Sequence, residues 1–308
     1  MKTEKGFSIA DLKMNNRLVL APMAAISDLP FRLLCRKQGA SLCYTEMINA
    51  EAVARNNKSA FRLAESHPDD QPLGLQLFGA RVESMEAAAK KLAGTEKFDF
   101  FDLNMGCPDG RVLRQGAGAA LLRRETRACE LVKAIKEAGK PVTVKVRLNP
   151  NVLNSIRVCK ALEKAGVDCI TVHGRTVKQK YSGPVDFVSI KRITKAVSIP
   201  VIANGNIRSR KDVKITLEKT GAAAVMIGRG AIGNPGIFAD LQGHLAIKPI
   251  NAMFNYLKLF EEFGMDKFGR KKTQVIRFLT KVKKQQVIEL VQKAGTEEEL
   301  EQALAELK

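Results

Sequence analysis

The stretch PVIANGNIRSRKDVKITLEKTGAAAVMIGRG, residues 200–230, contains the repeating unit that decides the fold. Two apolar runs, at 200–204 and 223–228, enclose a segment of good helix formers at 209–219. Continuous apolar runs of this length are typical of parallel strands that are buried on both faces. The stretch therefore predicts a strand, a helix and a second strand parallel to the first.

The same alternation runs along most of the chain. Helix-forming segments such as 125–138 and 152–165 lie between the apolar runs and stop at Gly139 and Gly166. The eight apolar runs are 17–23, 42–47, 73–79, 98–105, 141–148, 169–174, 200–204 and 223–228. Eight strand–helix units predict an α/β protein with a (β/α)8 TIM barrel. A doubly wound sheet is the alternative, but it usually carries a glycine-rich turn after its first strand, and LAPMAAISD (20–28) has no glycine.

The last 60 or so residues have a different pattern. They contain helix-forming segments and no strand-like run, with Gly264 and Gly269 as breaks. Thr296, with Glu299 three residues later, has the pattern of a helix cap. We therefore predict a barrel domain at 1–243 and a small all-helical domain of three or four helices at 244–308.

The net charge of +19 favours a polyanionic partner such as nucleic acid. General adaptation of the surface to solvent is the alternative, but the charge is clustered. Five arginines fall within 111–127, and the segment 267–284 has eight basic residues and no acidic one. The pattern predicts that the helical tail binds RNA or DNA.

Composition also sets limits on the class of protein. Six cysteines show no C-x-x-C spacing, so we expect reduced thiols and no metal site. No apolar run approaches the ~18 residues of a membrane span, and MKTEKGFSIADLK at the N-terminus lacks the apolar core of a signal peptide. We expect a cytoplasmic protein without a membrane partner.

Polar side chains gather where the predicted strands end, which is where barrel enzymes carry their chemistry. ANGNIRS (203–209) and GRGAIGNP (228–235) follow the last two strands, and their glycines and Arg229 suit a phosphate group. The alternative is that both are simple tight turns. Lys145 within VTVKVRL needs an anionic partner or a path to solvent. His173 is a catalytic candidate or a satisfied core histidine, and Gln76 can hydrogen-bond a flat heterocycle.

These residues together predict a pocket for a phosphorylated planar cofactor. FMN is favoured over a dinucleotide because only one phosphate site is visible in the sequence. Pyridoxal phosphate is an alternative, with Lys145 as the residue that forms the Schiff base.

Six motifs in order resemble those of the tRNA-dihydrouridine synthases. They are APMAAISDLPFR (21–32), NMGCP (104–108) followed by GAGAALL (116–122), VKVR (144–147), HGRTVKQKYSG (173–183), ANGNI (203–207) and GRGAIGNP (228–235). The likeness covers about residues 17–240. The basic tail resembles the C-terminal RNA-recognition domain of that family only loosely.

The resemblance implies a function and assigns roles to residues. The expected activity is reduction of the C5–C6 double bond of uridine in tRNA by FMN, with NADPH or NADH as electron donor. Separately from the resemblance, we expect the chain to act as a monomer. Cys107 matches the proton donor to C5, and Asn104, Arg147 and Tyr181 match the uracil pocket. The positions that match FMN contacts are Pro22, Met23, Ala24, Gln76, Lys145, His173, Asn204, Gly205, Asn206, Gly228 and Arg229. In the tail, Lys271, Arg277 and Lys281 are the expected tRNA contacts.

Some positions depart from the family's commonest pattern. Ala25 stands where glycine is frequent, Asn206 replaces a frequent aspartate, and Phe187 replaces a common tryptophan.

Two other functions remain open from the sequence alone. One is a small-molecule FMN enzyme such as a dihydropyrimidine or dihydroorotate dehydrogenase, which gives no reason for the basic tail. The other is a flavin-free RNA-binding barrel protein.

Overall fold

The structure is a computed structural model that describes residues 5–265, 267–305 and 307. A barrel of parallel strands forms its centre, preceded by the antiparallel hairpin β1 (Phe7–Ile9) and β2 (Leu12–Met14). The further strands are β3 (Leu18–Leu20), β4 (Cys43–Tyr44), β5 (Ile48–Asn49), β6 (Leu73–Phe78), β7 (Phe100–Met105), β8 (Val142–Leu148), β9 (Cys169–Thr176), β10 (Val201–Asn204) and β11 (Ala224–Ile227).

The barrel strands lie side by side in chain order. The hydrogen-bonded path runs β3-β11-β10-β9-β8-β7-β6-β4, and the short β5 pairs with the far end of β6. Backbone bonds from Ser41 N to Leu18 O and from Leu20 N to Leu42 O, each 2.9 Å, close the gap between β3 and β4. The predicted eight-stranded barrel is confirmed, with every strand inside or next to its predicted range, and the doubly wound alternative is wrong.

Each barrel strand has one face toward the surrounding helices and one toward the barrel interior. In β7, Phe101, Leu103 and Met105 pack in the core that the helices share, whereas Phe100 packs with interior residues of other strands. Successive side chains of a strand alternate in direction, so Asp102 and Asn104 point inward with Phe100. The β1–β2 hairpin closes the N-terminal end of the barrel with apolar side chains. The polar interior residues therefore stand above an apolar floor.

Ten helices in the described part of the barrel region surround the strands. The predicted stops at Gly139 and Gly166 are confirmed by positive φ angles of 76° and 99°, values that glycine tolerates best. The helices are α1 (Leu29–Lys37), α2 (Ala50–Ala54), α3 (Lys58–Arg62), α4 (Val82–Ala93), α5 (Gly110–Arg114), α6 (Glu125–Lys136), α7 (Val152–Lys164), α8 (Phe187–Ala196), α9 (Arg210–Thr220) and α10 (Ile237–Gln242).

The described part of the tail contains four helices, as the sequence predicts. They are α11 (Pro249–Glu262), α12 (Phe268–Lys281), α13 (Gln285–Lys293) and α14 (Glu297–Ala305). Gly264, at φ 58°, follows the end of α11, but the predicted break at Gly269 is wrong because this residue lies in the first turn of α12. Thr296 Oγ1 accepts from Glu299 N at 3.3 Å, as expected of a cap.

The tail packs directly on the barrel rather than standing apart from it. Tyr256 of α11 donates a hydrogen bond of 3.0 Å to Asp28 Oδ2, just before α1. The rings of Phe278 in α12 and Phe31 in α1 make an edge contact, with centroids 6.4 Å apart. Apolar residues of both regions belong to one buried cluster. Among the described residues, no helix is long and apolar enough to cross a membrane.

Candidate active site

A cavity of about 840 Å³ opens at the C-terminal ends of the barrel strands. It brings together every site residue that the sequence predicts within the barrel. They are Pro22, Met23, Ala24, Gln76, Asn104, Cys107, Lys145, Arg147, His173, Tyr181, Asn204, Gly205, Asn206, Gly228 and Arg229. The predicted tail residues Lys271, Arg277 and Lys281 do not line it.

Lys145 is one of the cations that line the cavity. Its Nζ is 3.3 Å from Asn204 Oδ1, and the Asn204 amide donates in turn to Met226 O at 2.8 Å. Burial and the neighbouring Arg147 lower the pKa of Lys145 to about 8, while Asp102 opposes that shift. Its nearest hydrogen-bond partner is neutral, so Lys145 offers its charge to an anionic or electron-rich ligand.

The turns after β10 and β11 form the second cationic part of the cavity. Gly205 has φ 137°, and Asn206 has φ 56°. Arg229 is exposed, and its Nη2 donates to Asn206 Oδ1 at 3.3 Å. An exposed guanidinium beside backbone of this kind can bind a phosphate through charge-assisted hydrogen bonds.

His173 is a neutral imidazole in this setting. Burial first, and then the cations Lys145, Arg147, Arg175 and Arg229, hold its pKa well below the usual range. A neutral ring can accept one hydrogen bond and donate another, but it does not supply a proton as imidazolium at neutral pH. This environment favours a binding role over that of a general acid.

Cys107 lies at the start of the loop after β7, on the wall of the cavity. Its backbone N donates to Asn104 Oδ1 at 2.9 Å, and its carbonyl accepts from Ala119 N at 3.1 Å. Partial burial raises the pKa of the thiol above its ordinary value, and the opposing effects of Arg147 and Lys145 are smaller. The thiol is therefore protonated at neutral pH and can act as an acid.

Arg147 and Tyr181 form the mouth of the cavity. The guanidinium of Arg147 donates to Gly106 O at 2.7 Å and to Lys180 O at 2.6 Å, which ties the two rim loops together. The Tyr181 ring is 54% exposed and lies 5.3 Å from the guanidinium carbon of both Arg147 and Arg229. An exposed ring held by cations is a surface on which a planar base can stack.

Three further polar residues support the site, although the sequence patterns assigned no role to them. Arg175, which is 1% exposed, donates to Gly183 O at 2.6 Å and orients the loop that carries Tyr181. Glu46 Oε2 accepts from Ala25 N at 2.5 Å, at the rim formed by Pro22 to Ile26. Asp102 lies beneath Gln76. The first two are among the polar residues that the sequence places at strand ends, although it gives them no role, whereas Asp102 sits inside an apolar run.

The tail residues chosen from the sequence have different surroundings. Lys271 is buried, and its Nζ forms ion pairs with Glu261 at 3.1 Å and with Glu297 at 2.6 Å. Its choice as an RNA contact is therefore corrected, because its charge is satisfied inside the tail. Arg277 donates to Ala25 O at 2.5 Å and so contacts the barrel rim. Lys281 is exposed, as are Lys267, Lys283 and Lys284.

Comparison with known proteins decides the family. The model of the dihydrouridine synthase (Dus) family matches residues 19–307, which includes both the barrel and the helical tail. The chain belongs to the dihydrouridine synthase family. This match confirms the family that the six sequence motifs indicated, and it extends over the helical tail.

Curated relatives agree with this assignment to the Dus family. The chain is 38% identical over 245 residues to tRNA-dihydrouridine synthase B of Pseudomonas putida. The aligned region covers 77% of this chain and 71% of that relative. The chain is also 38% identical over 229 residues to the probable tRNA-dihydrouridine synthase of Aquifex aeolicus, with 73% and 72% covered.

Solved structures support the fold alone. The old yellow enzyme homologue from Zymomonas mobilis has a TM-score of 0.52 with this Dus family member at 13% sequence identity. The match covers 76% of this chain and 90% of that one. At such low identity it shows a shared barrel architecture and carries no argument about the reaction.

Proposed function

We propose that the protein is a tRNA-dihydrouridine synthase that reduces the C5–C6 double bond of uridine in tRNA. The observation that carries the proposal is the position of the neutral Cys107 thiol on the wall of a cavity that also contains Lys145, His173 and Arg229. A family member with a proton donor and a cationic cavity has the groups that this reduction needs.

The residues of the cavity fit FMN as the cofactor. A volume of about 840 Å³ is within the range of small-molecule sites, with room for a cofactor and one base. Arg229 and the turns at Gly205, Asn206 and Gly228 suit its phosphate. Lys145, His173, Gln76 and Asn204 present the charge and the hydrogen-bonding groups that a flavin ring can use. When bound, reduced FMN supplies the hydride that adds to C6 of the uracil ring.

Cys107 is the proposed catalytic acid. Hydride addition at C6 leaves negative charge on C5 and O4, and a positioned acid must supply a proton to C5. The raised pKa keeps the thiol protonated at neutral pH, so it holds the proton that C5 requires. Arg147 and Tyr181 hold the base at the mouth. The second N–H of the Asn104 amide donates to the weak acceptor Met47 Sδ, 3.7 Å from Nδ2, and can donate to a uracil carbonyl in its place.

The size and position of the cavity require that the target uridine leaves its place in the folded tRNA. Flipping a base costs a few kcal/mol, which contacts to the phosphate backbone can offset. Exposed cations are available at the cavity rim, where Arg111 lies, and on the tail at Lys281, Lys283 and Lys284. NADPH or NADH is the proposed electron donor, with the protein acting as a monomer in the cytoplasm.

The small-molecule alternative is tested by the choice of substrate. The purified protein is expected to be yellow, and after reduction under anaerobic conditions its flavin should be reoxidised by unmodified tRNA transcript but not by free uracil or orotate. Dihydrouridine in the tRNA, measured by mass spectrometry, should match the reoxidised flavin. Reoxidation by the free bases with no product in tRNA would show a small-molecule dehydrogenase, and a colourless protein would favour the flavin-free RNA binder.

A further inference from the structure

Asp102 lies in the barrel interior just beneath the cavity, without lining it. It is 0% exposed. Its Oδ2 accepts from Gln76 Nε2 and its Oδ1 accepts from Thr143 Oγ1, each at 2.6 Å. A buried carboxylate is costly unless its hydrogen bonds are made. Such a residue in an apolar strand needs a reason beyond packing.

The hydrogen bond to Gln76 is the first of four that connect Asp102 with the loop of Cys107. Gln76 Oε1 accepts from Asn104 Nδ2 at 2.7 Å. Asn104 Oδ1 then accepts from the backbone N–H groups of Gly106 at 3.1 Å and Cys107 at 2.9 Å. The two side-chain amides thus connect a buried carboxylate with the backbone of the proposed acid.

The direction of these amides is fixed from both ends. An amide has nearly the same shape after a flip that exchanges its oxygen and its NH2 group, so packing alone does not orient it. The backbone N–H groups of Gly106 and Cys107 can only donate, and an ionised carboxylate can only accept. Both ends therefore demand the orientation seen in the structure. The reverse one would set the Asn104 NH2 against the two backbone N–H donors and the Gln76 oxygen against the Asp102 carboxylate.

We infer that Asp102 is a positioning residue, which sets the direction of the Gln76 and Asn104 amides and through them holds the Cys107 loop. This role rests on the proposed function, because it serves the acid of that reaction. Gln76 and Asn104 both line the cavity, so the same relay decides whether a ligand meets an N–H or an oxygen. A reversed Asn104 would present its oxygen where its NH2 group now donates to Gln76 and Met47.

The structure predicts which substitutions the relay tolerates. In Asp102→Asn the new side chain can keep its oxygen toward Gln76 and donate its NH2 to Thr143 Oγ1, whose hydroxyl already lies 3.4 Å from Phe101 O as acceptor. Asp102→Leu removes the acceptor altogether. Gln76→Glu sets two carboxylates against each other, and this repulsion disturbs the relay although the second oxygen of the new carboxylate can still accept from Asn104 Nδ2. Adding Asp102→Asn relieves the repulsion, because the new amide can donate its NH2 to that carboxylate.

Hydrogen exchange of the Gly106 and Cys107 amides in the flavin-free protein tests this directly. We expect exchange at least about tenfold faster in Asp102→Leu and in Gln76→Glu, which corresponds to one lost buried hydrogen bond of about 1.4 kcal/mol. Asp102→Asn should stay within about threefold of the parent. The double variant Gln76→Glu/Asp102→Asn should exchange more slowly than Gln76→Glu alone. Thr171→Val is the matched control. This buried threonine of β9 lies next to Lys145 of β8 and takes no part in the relay.

The single-turnover rate of dihydrouridine formation should follow the same order across the variants. Parent-like exchange in Asp102→Leu, or equal damage from Asp102→Asn and Asp102→Leu, overturns the relay. If Asp102→Leu does not fold, Gln76→Glu and its double variant decide in the same way. Exchange needs neither flavin nor tRNA, so a parent protein that makes no dihydrouridine would overturn the proposed function and leave this result standing.

Discussion

At the scale of single residues, Lys145 is a cation of the cavity whose pKa lies just above neutral pH. Burial and Arg147 lower its pKa to about 8, so the cation is present below that pH and is lost as pH rises through it. The other cation, Arg229, is an exposed guanidinium at the rim, and guanidinium groups are not deprotonated in proteins. The two cations of the proposed flavin site should therefore be separable by pH.

We predict that FMN binds more weakly as pH rises through about 8, because Lys145 becomes neutral. Fluorescence titration of the flavin-free protein between pH 6 and 10 measures this. Lys145→Met should bind weakly with a flat profile over that range, whereas Arg229→Ala should bind weakly at every pH and keep the step near 8. A parent profile without that step, or a step that persists in Lys145→Met, would show that Lys145 does not face the flavin.

Fifteen of the residues that line the cavity are predictable from the sequence. Most of them stand at strand ends or in glycine-rich turns, whereas Ala24 and Tyr181 follow only from the resemblance to the family. The sequence assigned no role to Asp102, which lies within the apolar run FDFFDLNM (98–105) and shows no turn or glycine beside it. Only its placement two residues before Asn104, on the same face of the strand, could have marked it. The burial of Lys271 was equally invisible, because it depends on Glu261 and Glu297 from two other helices.

At the scale of elements, helix α12 holds the loop between β3 and α1. Arg270, Gln274 and Arg277 occupy positions i, i+4 and i+7 and so share one helix face. Arg270 pairs with Glu46, Gln274 Nε2 donates to Ile26 O at 2.8 Å, and Arg277 donates to Ala25 O. Ala25 has φ 57° at the position where the family often has glycine, and these bonds hold its unfavourable backbone in place.

We predict that Arg270→Met lowers the free energy of unfolding by about 2 kcal/mol. The Glu46 carboxylate is almost fully buried, and the substitution removes the cation that pairs with it. Adding Glu46→Gln should recover most of that loss, since a neutral amide needs no cation. Denaturant unfolding measures both. The exposed pair of Arg55 and Glu51 is the control, and Arg55→Ala should change stability by less than about 0.5 kcal/mol. A loss in Arg270→Met no larger than in that control would show that α12 does not hold the loop.

The elements that sequence patterns did not predict are the short ones. β1 and β2 have three residues each and β5 has two, too few for a periodic signal. Gly269 was predicted as a break from its intrinsic preference, but it falls in the first helical turn, where glycine is tolerated. The eight barrel strands were predictable because burial on both faces leaves a continuous apolar run in each.

At the scale of the whole molecule, the net charge of +19 gives a field that attracts tRNA, and local contacts decide where it binds. Lys281, Lys283 and Lys284 are exposed at the end of α12 and just beyond it. We expect these three lysines to contact tRNA in place of Lys271 and Arg277. Lys271 is paired with Glu297 inside the tail, and Arg277 contacts the barrel rim.

We predict that Lys281→Glu/Lys283→Glu/Lys284→Glu weakens tRNA binding and lowers its salt slope by about one for each phosphate that the tail no longer neutralises. The control reverses three exposed lysines in the last turns of α7, α8 and α9, Lys164, Lys195 and Lys219, with the same change in net charge. Filter binding between about 50 and 200 mM salt separates the two variants. Equal weakening in both would mean that the overall field, and not the tail, binds tRNA.

The central claim is that Cys107 donates the proton, and single-turnover kinetics of Cys107→Ala tests it most directly. The variant should keep its flavin, its reduction by nicotinamide and its affinity for tRNA. Its rate of dihydrouridine formation should fall by the ~10²–10⁴-fold typical of a lost general acid. Cys129→Ala, which removes another partly exposed thiol, on α6, should react at the parent rate. Dihydrouridine formation at the parent rate in Cys107→Ala would contradict the account.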